Sequence, residues 1–188
     1  GRDSRHRGEH FRMESTRLWT MPPTAPPVYV ATAGPATARR AGRNADGLIT
    51  TSAEVERLAP LLARFAEGAR EAGHDPERLP KVLQLRLSWA PTEEQALTNA
   101  LTEWPIAGLR MRRGDVRSPY DFEQLVRGVT ADDMRASMPI SADPDVHRAQ
   151  IQRYVDLGFT RIYLHNVGPD QREFLEVFGR DVLPKVHA

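Results

Sequence analysis

Residues 27–51, PVYVATAGPATARRAGRNADGLITT, constrain the fold more than any other stretch of the chain. Val28, Val30 and the small residues after them read as a buried strand of the kind that a parallel sheet covered on both faces requires. Gly34-Pro35 stops that strand and opens a helix, because proline at the first helical position lacks only an N–H that has no helical acceptor. Ala36, Ala38, Ala41 and Gly42 keep the helix slim enough to lie close on a sheet. Asp46-Gly47 then turns the chain into a second strand over 48–50. Two strands joined by a crossover helix are parallel, so the stretch is one βαβ unit. Its small-residue turn presents backbone amides at a helix N-terminus, a geometry that binds anions and most often phosphate.

The remaining text repeats this alternation. Thr51-Ser52-Ala53-Glu54 has the form of a capping box, and Leu58, Leu61, Leu62, Phe65 and Ala69 follow as one helical stripe that ends at Gly73. Residues 81–90, KVLQLRLSWA, alternate as a third strand, and Thr92 with Gln95 opens the next helix. Residues 105–117 are irregular and basic, with Arg110, Arg112, Arg113 and Arg117 close together. Ser118-Pro119 and Thr130 start two short helices, and Asp143-Pro144 starts a longer one that stops at Gly158. Residues 161–167, RIYLHNV, form a fourth strand. Asp170 caps the last helix, which is expected to bury Phe174, Leu175, Val177 and Phe178. Before all of this, residues 1–27 read as a short β-ribbon closed by the proline-rich connector MPPTAPP. The order is strand then helix, four times over, which implies a parallel sheet with helices outside it. Active residues are then expected where the strands end: 31–34, 50–52, 88–90 and 165–168.

Composition narrows the partners. A net charge of +1, and arginines without interleaved aromatics, argue against nucleic acid. No apolar run approaches the roughly 20 residues of a membrane span. Zero cysteines remove disulfides, thiolate nucleophiles and thiolate metal sites, and they fit a cytoplasmic protein. Asp3, His6, Glu9 and His10 are spaced as solvated surface rather than as a ligand set, so no metal is expected. The text opens Gly1-Arg2-Asp3 in polar sequence, and a fragment of a longer protein is expected.

Three segments carry a resemblance to a known family: PPVYVATAGPATARRAGRNADGLITT, LSWAPTEEQA and ADPDVHRAQIQRYVDLGFTRIYLHNVGPDQREFLEVFGRDVLP. In that order they resemble the C-terminal half of deazaflavin-dependent oxidoreductases of the luciferase-like (β/α)8 superfamily. The closest group is that of the coenzyme F420-dependent glucose-6-phosphate dehydrogenases. The resemblance implies an α/β fold in which this chain supplies barrel strands five to eight. It is then one partial domain over 1–188, with a helical insertion over 105–142 after the third strand of the chain.

The resemblance also implies a site. The turn after strand five, here Ala31, Thr32, Ala33, Gly34 and Ala36, is expected to hold the phosphate tail of coenzyme F420, with Ala33 standing where the family usually has a second glycine. A Thr-Ser-x-Lys segment binds substrate in the sugar-phosphate enzymes; here it reads Thr51-Ser52-Ala53-Glu54. A basic residue of the insertion falls at Arg113, and Ser137 stands where the family has an arginine. Two of three phosphate contacts are missing, so glucose 6-phosphate is not the expected substrate. Thr51, Arg113 and His165 remain as substrate-binding candidates. His165 and Asn166 read more readily as hydrogen-bonded structure, and Trp89 as core. The family's acid–base residues lie in the other half, so no catalytic residue is assigned. The expected activity is hydride transfer between an alcohol-type carbon and the deazaflavin. Two alternatives stand beside it: a luciferase-like monooxygenase using FMN, and a half-barrel serving as a non-catalytic binding or assembly module. Expected partners are a small-molecule substrate, the missing half of the barrel or a second copy, and a homodimer.

Overall fold

The computed structural model describes residues 1–51, 54–109, 111 and 116–187. Two strands, β1 (Ser4–Arg7) and β2 (Arg12–Thr16), pair antiparallel as the expected ribbon, with every residue exposed. Four further strands form a parallel sheet in chain order: β3 (Tyr29–Ala31), β4 (Gly47–Thr51), β5 (Lys81–Leu87) and β6 (Arg161–Asn166). The helices α1 (Pro35–Asn44), α2 (Val55–Glu71), α3 (Glu93–Glu103) and α6 (Pro144–Asp156) alternate with them, and α7 (Gln171–Val177) follows β6. Between α3 and α6 lie a 3-10 turn over Pro105–Gly108 and two short helices, α4 (Pro119–Val126) and α5 (Ala131–Arg135). No helix among the described residues is long and apolar enough to cross a membrane.

Period-two alternation divides the sheet into two faces. Leu48, Leu83, Leu85 and Leu87 pack with Leu58, Leu61 and Phe65 of α2, Ile151 and Tyr154 of α6, and Phe174 and Phe178 in one core on the helical side. Gln84 and Arg86 of β5 lie on the opposite face, where they pair in register with Tyr163 and His165 of β6. That face is open: Tyr163 is 54% exposed. Open surface there explains why Ala31 is exposed, and Val28, 60% exposed, precedes the strand, so of the buried run expected from the text Val30 alone packs against the helical-side core. β3 is an edge strand, covered by α1 on the helical side alone.

The small residues of α1 serve a different neighbour from the one expected. Ala38 and Ala41 are buried, yet Gly42 faces α2 rather than the sheet. A Cβ there would stand 2.7 Å from the amide nitrogen of Ala69 and 3.1 Å from the carbonyl carbon of Phe65. Gly68 of α2 answers it, since a Cβ on that residue would stand 2.8 Å from the carbonyl carbon of Arg39. The two glycines let α1 and α2 meet backbone to backbone, and ion pairs from Arg39 to Glu67 and Glu71 close the exposed rim.

Helix starts follow the text at α3, α4, α5 and α6, where Thr92, Ser118, Thr130 and Asp143 accept from the first-turn amides. The start of α2 does not. Its N-cap is Glu54, without a side-chain cap, and Thr51 is the last residue of β4, so the expected capping box is not formed. Sheet pairing with Gln84 claims Thr51 first. Gly73 and Gly158 take positive φ angles of 76° and 101°, as helix-terminating glycines do. Leu175 is 66% exposed, a correction to the expected buried face of the last helix, whereas Phe174 and Phe178 lie in the core and Val177 is partly buried against it.

Candidate active site at the carboxyl ends of the strands

Parallel pairing brings the carboxyl ends of β3 to β6 to one edge of the sheet, with Ala31 beside Ile49, Thr51 beside Gln84 and Arg86 beside His165. Ala31, Thr32, Ala33, Gly34 and Ala36 form the bend between β3 and α1. The Thr32 amide donates to the Ile49 carbonyl at 3.0 Å, and the Gly34 amide donates to Thr32 Oγ1 at 3.0 Å. Thr32 therefore shapes the bend and occupies the glycine amide that the sequence offered to an anion. Pro35 has no N–H, and Ala38 donates back to Gly34 O. The amides of Ala36 and Thr37 are the first-turn donors left without a helical acceptor. A Cβ at Gly34 would meet only Thr32 Oγ1, at 3.8 Å, so the cradle is open. None of these five residues lines the large cavity described next.

That cavity, of about 1060 Å³, opens at the end of β4. Thr51 lines it, together with Glu54, Arg57, Arg86, Arg135, Ser137 and Arg153. Arg113 lies outside the described residues. Arg57 Nε sits 2.9 Å from Glu54 Oε2, so the carboxylate standing in place of the family's lysine is already paired.

His165 does not line this cavity. It lies on the open face beside Arg86, with the Trp104 ring edge-on at 5.0 Å between centroids. The Arg86 guanidinium stacks over the same indole at 5.7 Å. Burial first, and the Arg86 charge second, push the His165 pKa below the ordinary imidazole value, so the ring is held neutral. Its Nδ1 and Trp104 Nε1 are both buried without a hydrogen-bond partner among the described residues. Arg86 and Trp104 were missed in the sequence. Arg86 was legible as a charged residue of an alternating strand, on the face away from the leucines, whereas Trp104 is brought in only by the turn after α3.

A second polar network lies beyond the end of β5, outside the lining of the cavity. Glu93 Oε1 accepts from Ser141 Oγ at 2.6 Å and from the Ala142 amide at 2.8 Å, and these two bonds hold its pKa below the usual carboxylate value. His147 Nε2 donates to the Ser141 carbonyl at 2.9 Å, and burial pushes its pKa down. Residues 139–141 run beside Ser88, beyond the end of β5, with Ser141 N donating to Ser88 O at 3.1 Å. Asn166 Oδ1 accepts from the Trp89 amide at 2.8 Å, and Trp89 Nε1 donates to Ala142 O at 3.0 Å. Asn166 and Trp89 are thus structural, each buried and hydrogen-bonded.

Residues 1–161 match the family model described as luciferase-like monooxygenase. The chain belongs to the luciferase-like monooxygenase family. Among members of known activity, it is 30% identical over 184 residues to the F420-dependent glucose-6-phosphate dehydrogenase 2 of Rhodococcus jostii strain RHA1, covering 97% of this chain and 55% of that protein. It is 32% identical to the F420-dependent glucose-6-phosphate dehydrogenase of Rhodococcus erythropolis strain PR4, covering 96% of this chain and 54% of that protein. Among solved structures, an F420-dependent secondary alcohol dehydrogenase in complex with an F420-acetone adduct superposes with a TM-score of 0.82 at 25% identity, over 100% of this chain and 57% of that one. The luciferase-like fold extends to the coenzyme F420-dependent tetrahydromethanopterin reductase of Methanopyrus kandleri, at a TM-score of 0.69 and 20% identity over 86% of this chain and 51% of that one. This luciferase-like chain spans about half the length of the curated relatives it matches.

Proposed function

We propose that this chain is the coenzyme-binding half, strands five to eight, of a (β/α)8 oxidoreductase that moves hydride between a hydroxyl-bearing carbon and coenzyme F420. The observation that carries the reading is the open bend at Gly34. It leaves two unbonded amides at the N-terminus of a ten-residue helix, at the strand ends, in a chain similar throughout its length to F420-dependent dehydrogenases. Ala36 and Thr37 N–H bind the phosphate of the coenzyme, and Thr32 holds the bend so that they point outward. The deazaflavin, when bound, supplies the hydride acceptor or donor. Thr51 and Arg113 contact the substrate. Neutral His165, aligned by Trp104, accepts a hydrogen bond from the substrate hydroxyl, a role that an imidazolium could not fill. Glu54 on the cavity wall disfavours a sugar phosphate at the position of the family's lysine, so the substrate is not glucose 6-phosphate. The open face and the free edges of β3 and β6 are covered by four further strands, with a second copy of the whole forming a homodimer.

Titration with oxidised F420, followed by its fluorescence, tests the reading on this chain and on a version extended to the length of its relatives. Micromolar binding that is lost in Gly34→Asp supports it. Binding of FMN in preference to F420, with oxygen-dependent turnover, supports the monooxygenase alternative instead. Failure of both chains to bind either coenzyme removes the enzymatic reading.

A further inference from the structure

The cavity beside Thr51 has a charge distribution that the phosphate-site comparison does not anticipate. Four arginines from four separate elements line it: Arg57 of α2, Arg86 of β5, Arg135 of α5 and Arg153 of α6. Two carboxylates, Glu54 and Glu56, oppose them. The Glu54 charge is answered by Arg57 at 2.9 Å. Arg135 and Arg153 form no ion pair among the described residues. Two guanidinium groups from different helices thus line one volume without an ion pair among the described residues, and the carboxylate influence on Arg135 is the longer-range charge of Glu93. Guanidinium forks match planar oxyanions and keep their charge at every relevant pH.

We propose that Arg135 and Arg153 are specificity-determining residues that bind an oxyanion, carboxylate or phosphate ester, on the substrate. The inference rests on the reading of this cavity as the substrate site, and it deepens that reading by naming the substrate class. Glu54 removes the anion contact at the start of α2, and the arginines of α5 and α6 supply one from other elements of the lining. The substrate therefore enters with its anionic end toward Arg135 and Arg153, its middle past Thr51, and its reacting hydroxyl toward Arg86 and the His165 beside it at the ends of β5 and β6.

Lactate, glycerol 3-phosphate and propan-2-ol serve as probes, titrated calorimetrically into this chain at low salt, with F420 titrated separately. Lactate or glycerol 3-phosphate is expected to bind at least about tenfold more tightly than propan-2-ol, and which of the two binds more tightly identifies the anion. Arg135→Gln and Arg153→Gln are each expected to weaken anion binding about tenfold, while Glu56→Gln tightens it two- to threefold in rough terms. Both arginines are exposed, so the variants are expected to fold, and an unchanged melting temperature checks this. Equal affinity for the neutral alcohol, or anion binding indifferent to both arginine substitutions, overturns the proposal. F420 binding retained in the same variants separates that outcome from failure of the coenzyme reading.

Discussion

Gly68→Ala tests the packing that holds the coenzyme bend in place. An added Cβ at Gly68 would stand 2.8 Å from the carbonyl carbon of Arg39 and 3.1 Å from its Cα, closer still to the oxygen. Ordinary Cβ contacts begin near 3.4 Å, so the two helices must part by most of an ångström or more. Ala38 and Ala41 pin α1 to the sheet on its other side, which leaves little room to retreat. Overpacking of this kind costs about 3 kcal/mol at the upper end of its usual range. Alanine recovers about 1 kcal/mol of helix propensity over glycine, leaving a net loss of about 2 kcal/mol. With a urea m-value of about 2 kcal/mol/M, the unfolding midpoint falls by about 1 M. Gly42→Ala strains the same interface, and one separation of the helices relieves both clashes, so the double variant loses less than the sum of the two. Gly179→Ala is the control, since a Cβ there meets nothing within 4 Å. A Gly68→Ala protein as stable as the parent, or more so, would refute backbone-to-backbone contact between α1 and α2.

Gly34→Asp is expected to keep or raise the melting temperature, because aspartate is a good N-cap and the position is open, yet to weaken F420 binding at least about tenfold through repulsion of the phosphate. Trp104→Ala exposes the His165 ring, so the His165 pKa, followed by NMR titration, rises toward the ordinary value; an unchanged pKa refutes shielding by the indole. Burial lowers the folded-state pKa of His147, so below the ordinary imidazole pKa of about 6.5 the unfolded chain binds the extra proton. Stability is then constant above that pH and falls on acidification below it, and His147→Phe, measured by urea unfolding at pH 7 and pH 5.5, is expected to flatten that slope.

Much of the architecture was legible because it rests on local rules. Period-two strands, helical stripes and the caps at Thr92, Ser118, Thr130 and Asp143 are decided within a few residues, and the chain alone predicts the parallel sheet. The Gly34-Pro35 bend was legible for the same reason. Tertiary structure decided what those residues meet. Gly42 proved to be a contact for α2, because a glycine's text does not name the backbone that approaches it. Thr51 went to a strand rather than to a cap, because pairing with Gln84 lies more than thirty residues away. Arg135 and Arg153 are separated by two turns of fold and share one cavity, and Trp104 reaches His165 across sixty residues of chain. Local backbone preference is written in neighbouring side chains, whereas the convergence of charges and rings depends on where each element is docked.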